Sequence, residues 1–355
     1  MKVLVLGGGA QGRVIAGDLA RSLPQAQVTV ADLRRPELPA IDNLQSLEAD
    51  LSDAATLRRL LGACDFAVGA LPSRYGFGVM RAAIESGRDL VDVSFTPEDP
   101  LALDDDARRA GVTIVPDCGL APGLSNLIVG RVAASRERPE AITILVGGIA
   151  QDRSRPYGYV VTWSVDDLLE EYVRPARIVE NGAAVEVPVF SGYERLHVDG
   201  VGELEAFYSD GLRTLIHTVP GVPRMGEKTL RWPGHADAVR PLVADGSFVR
   251  TMRERCVADP PEDLVVLLVR FAWNGRSERV TLVDRYDPAT RLTAMSRTTA
   301  LTTSVGAQLL AAGLKPAPGV HPLENVGRDE RAFEFFRERL GARGVRLGWP
   351  PAPEA

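Results

Sequence analysis

The sequence predicts an α/β chain in two parts: a doubly wound N-terminal domain on a parallel sheet, then an α+β domain on a mostly antiparallel sheet. Three observations carry that prediction. A short apolar strand run, Lys2 to Leu6, passes directly into Gly7-Gly8-Gly9-Ala10-Gln11-Gly12. Strand and helix patterns then alternate as far as Pro116, the order that βαβ units in a parallel sheet require. Beyond Pro122 the pattern changes to alternating strands around a polar Pro/Gly loop at residues 151–160.

The first strand and its glycines form a G-x-G-x-x-G turn that opens a helix, with Val14, Ile15, Leu19, Ala20 and Leu23 on one face and a stop near Pro24. This is the Rossmann dinucleotide-binding pattern. Gly7 permits the tight turn, Gly9 lets backbone approach a pyrophosphate, and Gly12 lets helix pack close to strand. The helix N-terminus offers free N–H groups to the phosphates, and Gln11 lies in the same loop. A second strand, Gln27 to Ala31, ends in Asp32, twenty residues after Gly12. A carboxylate there accepts the ribose hydroxyls and disfavours a 2′-phosphate, so NAD is the expected cofactor. Arg34 and Arg35 leave NADP possible.

Asp50-Leu51-Ser52-Asp53 is expected to cap a helix from Ala54 to Leu61. Strand Asp65–Ala70, helix Gly76–Ser86, strand Asp89–Ser94, helix Leu101–Ala110 and strand Val112–Pro116 follow. Ligands of such sheets bind outside the carboxyl ends of the strands. That rule nominates Asp50 near the adenine. It places Leu71, Pro72, Ser94 and the run Asp117-Cys118-Gly119 near the nicotinamide.

In the second part a helix is expected at Gly123–Ala134, with strands at Ala141–Val146, Tyr159–Trp163, Leu264–Phe271 and Arg279–Asp284. Closing helices at Thr299–Ala312 and Asp329–Leu340 have apolar faces that need a partner, and the first domain is the economical one. The expected division is therefore residues 1–125 plus about 300–355 for dinucleotide, and 126–299 for substrate.

Composition narrows the class. Among 355 residues, 41 Lys and Arg face 47 Asp and Glu for a net charge of −6, which argues against a nucleic-acid partner. No apolar run reaches the ~20 residues of a membrane span, and the N-terminal run is too short for a signal-peptide core. Cys64, Cys118 and Cys256 form no CxxC pair and no disulfide framework, so a reducing, cytoplasmic location is expected. His197, His217 and His321 show no metal-ligand spacing, and no metal is expected. Only three basic residues are lysines: Lys2, Lys228 and Lys315. Genomic base composition accounts for most of that bias, yet it singles out Lys228.

At Asp117-Cys118-Gly119-Leu120-Ala121-Pro122-Gly123-Leu124-Ser125-Asn126 the chain resembles the saccharopine dehydrogenase-like family. Further matching segments are Ala70-Leu71-Pro72, Val91-Asp92-Val93-Ser94-Phe95, Val146-Gly147-Gly148, Thr162-Trp163-Ser164, Arg174-Pro175-Ala176, Glu205-Ala206-Phe207, Ser209-Asp210-Gly211-Leu212-Arg213 and Thr229-Leu230-Arg231-Trp232-Pro233-Gly234-His235. Saccharopine reductases tend to carry Asp before Pro-Gly, Asp-His after it, and Cys before Gly-Gly. Here those places hold Ala121, Ser125, Asn126 and Val146. The resemblance therefore leans to the lysine 6-dehydrogenase branch: oxidative deamination of L-lysine at its ε-carbon. It also implies a substrate-binding second domain with dimer contacts, hence a homodimer. A saccharopine- or carboxynorspermidine-type imine reductase using NAD(P)H is the alternative, and a non-catalytic NAD-binding protein the alternative of another class.

Such chemistry needs a neutral amine, although an amine's ordinary pKa is about 10.4. It also needs anchors for a carboxylate and an ammonium. Arg231 is the candidate for the substrate carboxylate, with a structural salt bridge as the alternative. Asp117 is placed to orient the amine or take its proton, or else to cap the following helix. His235 is a candidate acid/base near neutral pH, Asp210 a catalytic or plain turn aspartate, and Lys228 a positive charge or base. Cys118 flanks the expected pocket, with packing as its simpler role. Tyr157 and Trp163 are expected to wall the aliphatic part of the substrate or fill core, and Glu324-Asn325 to close over the cofactor.

Overall fold

The computed structural model describes residues 1–134 and 137–354. The chain divides into two compact units, Met1–Arg131 with Thr298–Arg343, and Val132–Arg297 with Gly344–Ala355. The first unit opens with β1 (Lys2–Leu6), α1 (Ala10–Ser22), β2 (Gln27–Asp32), β3 (Leu44–Glu48), α2 (Ala54–Gly62), β4 (Phe66–Gly69), α3 (Ser73–Glu85), β5 (Asp89–Asp92), α4 (Asp104–Ala110) and β6 (Thr113–Val115). Asp53 caps α2 by accepting from the Thr56 amide, as its position before an apolar-periodic run requires. The edge strand β3 was not expected. Its residues alternate without burying a full face, so it carries little hydrophobic signal.

Helix α5 (Leu124–Ala133) leads to the second unit. There follow β7 (Ala141–Ala150), α6 (Val165–Val173), β8 (Ala176–Glu180), β9 (Ala183–Val187), β10 (Glu194–Val198), β11 (Gly202–Tyr208), α7 (Leu215–Thr218), β12 (Arg224–Arg231), α8 (His235–Ala244), α9 (Phe248–Arg255), β13 (Asp263–Trp273) and β14 (Arg276–Arg285). The chain ends with α10 (Ala294–Ala311), β15 (Gly319–Val320), α11 (Leu323–Gly327), α12 (Glu330–Ala342) and β16 (Ala352–Pro353).

The first sheet has seven strands in the order β15-β6-β5-β4-β1-β2-β3, and every pair is parallel. Order reverses between β1 and β4, which makes a crevice outside their carboxyl ends. Register puts Leu6 opposite both Ala31 and Gly69, and Gly69 opposite Asp92. The residues just beyond this row therefore face one another.

The second sheet has nine strands, β10-β11-β12-β7-β13-β14-β16 with β8 and β9 attached at β12. Its pairs are antiparallel except β12 with β7. Alternation along the strands separates two cores. An aliphatic cluster includes Leu204, Leu230, Val266 and Leu268. An aromatic one gathers Tyr159, Tyr172, Phe207 and Phe248 with α6, α8 and α9.

Three expectations need correction. Residues 159–163 form no strand. Tyr159 and Val160 are buried, and the Val161 amide bonds to the Cys256 carbonyl at 2.8 Å, so the segment crosses the end of α9 instead of joining the sheet. Gly147-Gly148 does not end its strand, because β7 runs on to Ala150. A Cβ at Gly147 would stand 2.2 Å from the Leu230 carbonyl oxygen, so glycine is what allows β12 this close. Finally, the tail from Gly344 belongs to the second unit, since β16 pairs with β14 at Glu278↔Pro353 and Arg279↔Ala352.

Candidate functional site

Backbone and empty space build the candidate cofactor site of the first unit. Gly7 has φ +107°, and a Cβ on it would meet the Ala70 carbonyl oxygen at 2.5 Å. A Cβ on Gly12 would lie 1.9 Å from the Gly7 carbonyl oxygen, which is how tightly α1 sits on the turn. Beside Gly9 no described atom lies within 4 Å of such a Cβ. Gly9 is also the N-cap of α1 and supplies no side-chain cap, so the first-turn amides point at this open side. Among the described residues, neither atom of the Gln11 side-chain amide has a hydrogen-bond partner, although both are buried.

Asp32 binds the same loop. One carboxylate oxygen accepts from the Gly8 amide at 2.6 Å and the other from Arg34 at 3.3 Å, while Arg34 and Arg35 stay exposed. Asp50 is exposed beyond β3. Its carboxylate accepts from the Ser52 hydroxyl and amide, which hold it below the usual range. Leu71 approaches Gly7, and Pro72 precedes α3 at its N-cap position without a side-chain cap. Orphaned donors, space at Gly9 and an acid at the end of β2 fit a nicotinamide dinucleotide.

A buried acid that the sequence reading did not select stands at the end of β5. Asp92 accepts from both the amide (2.7 Å) and the hydroxyl of Ser94. Its second oxygen fills the space that a Cβ on Gly69 would need. Burial, with the charge of Asp117, pushes its carboxyl up to about 7 against those bonds. Its signal in the sequence was faint: an acid closing an apolar strand two residues before a serine, the pattern of a local side-chain turn. Asp117 follows β6 with φ +50° and is itself buried.

Cys118 is not a pocket residue. Its thiol faces α10, 2.9 Å from where Gly306 would carry a Cβ, and burial raises its pKa. Glu324 is no lid either. It is fully buried and accepts from Asn126 at 3.0 Å, and Asn126 in turn accepts from the Gly123 amide and the Ser125 hydroxyl.

A separate group of candidates in the second unit lies on β12 and the helices over it. Arg231 is buried and donates from Nε to the Tyr172 hydroxyl oxygen (2.8 Å), from Nη1 to the Leu230 carbonyl (2.9 Å) and from Nη2 to Glu171 (2.9 Å). The rings of Tyr159 and Tyr172 stand 5.6 and 5.7 Å from its guanidinium carbon. Among the described residues three of its five N–H groups are thus engaged. Trp163 donates to the Tyr159 hydroxyl at 3.1 Å.

His235 donates from Nδ1 to the Tyr157 carbonyl at 2.7 Å, and its Nε2 lies 3.0 Å from the Tyr172 hydroxyl. Arg231 already donates to that oxygen, so the network assigns the tyrosine proton to Nε2. Burial, then Arg231, lowers the His235 pKa to about 3. The histidine is a neutral bridge that orients Tyr172, not the acid/base near neutral pH that was expected. Tyr157, Trp163, Arg231 and His235 therefore converge around Tyr159, Tyr172 and Glu171, none of which the sequence reading selected.

Two other candidates stand apart from this box. Lys228 projects to the opposite face of β12 from Arg231, where it pairs with Glu194 at 2.7 Å and lies 4.9 Å above the Tyr208 ring. Asp210 is buried and pinned by the Arg177 amide and by two side-chain bonds of 2.9 Å from the same arginine. That geometry is a strut. Among the described residues no cluster of three or more His, Cys, Asp or Glu is set to hold a metal ion, and no helix is long and apolar enough to cross a membrane.

Comparison with known proteins adds the context. Residues 3–115 match the saccharopine dehydrogenase NADP binding domain, and residues 119–345 match the saccharopine dehydrogenase C-terminal domain. A saccharopine dehydrogenase [NADP(+), L-glutamate-forming] of Schizosaccharomyces pombe is 26% identical over 274 residues, which cover 73% of this chain and 61% of that protein. The protein of that name from Saccharomyces cerevisiae is 23% identical over 258 residues, 69% of this chain and 58% of that one. The chain thus spans less than two thirds of these relatives' length. The solved apo saccharopine dehydrogenase (L-Glu forming) from S. cerevisiae superposes with a TM-score of 0.78 at 17% identity, covering 100% of both chains. That likeness establishes the fold.

Proposed function

The chain belongs to the saccharopine dehydrogenase family, and from that premise we propose an NAD(P)-dependent oxidoreductase that moves a hydride at an amine-bearing carbon of a lysine-derived amino acid. One observation carries the reading. A dinucleotide cradle with orphaned donors and a buried arginine box occur on one chain, within the two matched domains in their family order. The dinucleotide, when bound, supplies or accepts the hydride. The first-turn amides of α1 and Gln11 hold its phosphates, and Asp32 meets its ribose. The two remaining N–H groups of Arg231 hold a substrate carboxylate, while Tyr159 and Trp163 wall its aliphatic part.

In the oxidative direction the C–H hydride passes to the dinucleotide and the N–H proton to solvent, the C–N bond becomes an imine, water adds, and the C–N bond then breaks to give aldehyde and amine. A saccharopine-type secondary amine is the first reading, since the similar curated proteins carry that name. Ala121, Ser125 and Asn126 favour a second, in which the primary ε-amine of L-lysine is oxidised.

The test is an assay of reduced nicotinamide formation with NAD and NADP, offered saccharopine, L-lysine, ornithine, diaminopimelate and polyamines in turn. Turnover of saccharopine supports the first reading, and turnover of L-lysine alone the second. Tight dinucleotide binding with no turnover anywhere would leave a non-catalytic binding protein.

A further inference from the structure

Five buried or half-buried acids gather around β12; Glu194 pairs with Lys228, Glu205 accepts from the Gly234 and Ala236 amides, and of the other three two have guanidinium partners. Glu171 pairs with Arg231 at 2.9 Å, and Asp210 pairs with Arg177 at 2.9 Å. The third, Glu227, shares its strand face with Arg231 and is only 5% exposed. Among the described residues its Oε2 has no hydrogen-bond partner. The carboxyl lies directly over Gly211, where a Cβ would stand 1.5 Å from Oε1, so a glycine is what makes room for it.

A buried carboxyl without a partner is costly, and buried charges are ordinarily matched. The groups around it do not supply the match. Glu171 from α6 and Asp210 from the turn after β11 both act on it with negative charge. Arg231 on its own strand and Arg177 on β8 are committed to those two acids, and Arg174 lies 3.8 Å from Asp210. Across the register on β7 stands apolar Ile144. What would complete the set is one more cation carrying N–H donors.

We propose that Glu227 is the anchor for an ammonium group of the substrate, a binding role beside the Arg231 carboxylate site. The inference rests on the proposed function in one respect, that the substrate is an amino-acid amine. Burial first, then Glu171 and Asp210, holds the empty Glu227 carboxyl well above the ordinary range. The arriving ammonium therefore displaces a proton: the carboxylic acid becomes a carboxylate bonded to R–NH3+, and the proton goes to solvent.

The experiment is titration calorimetry with L-lysine and with saccharopine, each in two buffers of different ionisation enthalpy. The proteins are wild type and Glu227→Gln, which keeps the shape and removes the charge. Wild type should release protons on binding ligand. The variant should release none and bind at least about tenfold more weakly, with unchanged NADPH affinity as the check on folding. Equal affinity in the variant, no proton release by wild type, or no binding of either amine overturns the assignment. Should the variant fail to fold, infrared difference spectra of wild type decide: loss of a protonated-carboxyl band on adding ligand supports the site, and its persistence overturns it. Turnover of an amine with binding unaffected in Glu227→Gln removes the anchor and leaves the function. Glu227-dependent proton release without turnover of any amine removes the function and leaves the anchor.

Discussion

The glycine turn of the first unit and the Arg231 cluster of the second treat their polar groups in opposite ways. In the first, the turn after β1 leaves helix-end amides uncapped by any side chain and both atoms of the Gln11 amide without partners among the described residues. In the second, Arg231 is bonded to Tyr172, Glu171 and a carbonyl before any substrate arrives. A site of backbone and space gains its hydrogen bonds from the ligand. A site of paired side chains starts pre-organised and recognises the ligand through what is left over. On the proposed function the difference separates cofactor from substrate, and mutations should respect it.

The largest effect is expected at Gly12. Its Cβ would stand 1.9 Å from the Gly7 carbonyl oxygen, so Gly12→Ala must open the turn. Dinucleotide affinity should fall roughly 100-fold or more, since the rigid backbone offers no easy relaxation. Fluorescence titration with NADPH measures it, and a loss under about threefold would break the account of the cradle.

Next is Asp32→Ser, which removes the charge while keeping a short polar group near the Gly8 amide. The ratio of kcat/KM for NADP over NAD should rise about tenfold. An unchanged ratio would mean that Asp32 only fastens its loop.

A smaller effect should appear with pH. The Asp92 carboxyl is raised to about 7 in the folded protein by burial and by Asp117, above its ordinary unfolded value. Between those two pKa values the folded state binds the extra proton, so Asp92 makes stability fall as pH rises through that window. Asp92→Asn retains an acceptor for Ser94 and should flatten the slope. Urea denaturation from pH 4.5 to 7.5 tests this, and an identical slope in the variant would contradict the buried, protonated assignment.

The smallest change is expected for Lys228→Ala. Its partner is Glu194 on the face of β12 away from Arg231. The kcat/KM should stay within about twofold of wild type. A loss of about tenfold or more would return Lys228 to the site and redraw the comparison.

The same contrast explains what could be read from the sequence. Gly7, Gly9, Gly12 and Asp32 lie within one βαβ unit at fixed spacing, so local pattern places them in space. Strands β1, β2, β4, β5 and β6 were legible because a buried parallel sheet demands apolar runs. The arginine box draws on residues 157–172 and 231–235, and only folding brings those together. Arg231, His235 and Trp163 were reached through family motifs and Tyr157 lies outside them, and the roles of all four were not legible. Nothing in the sequence shows that Arg231 is paired with Glu171 or that His235 is buried against Tyr172. Lys228 misled because rarity is not position. One step along a strand reverses the face, and three steps from Arg231 put it on the wrong one. Glu227 was passed over because an acid in a strand draws attention only when its missing partner can be seen.

The most direct test of the central claim is a steady-state comparison of wild type with Arg231→Lys, varying amino acid and dinucleotide separately. Lysine keeps the charge and loses the planar fork. If the arginine box holds the amino acid and the glycine cradle holds the cofactor, KM for the amino acid should rise at least about tenfold while KM for NAD(P) stays within about twofold. Equal rises in both would contradict the division and make Arg231 a structural residue.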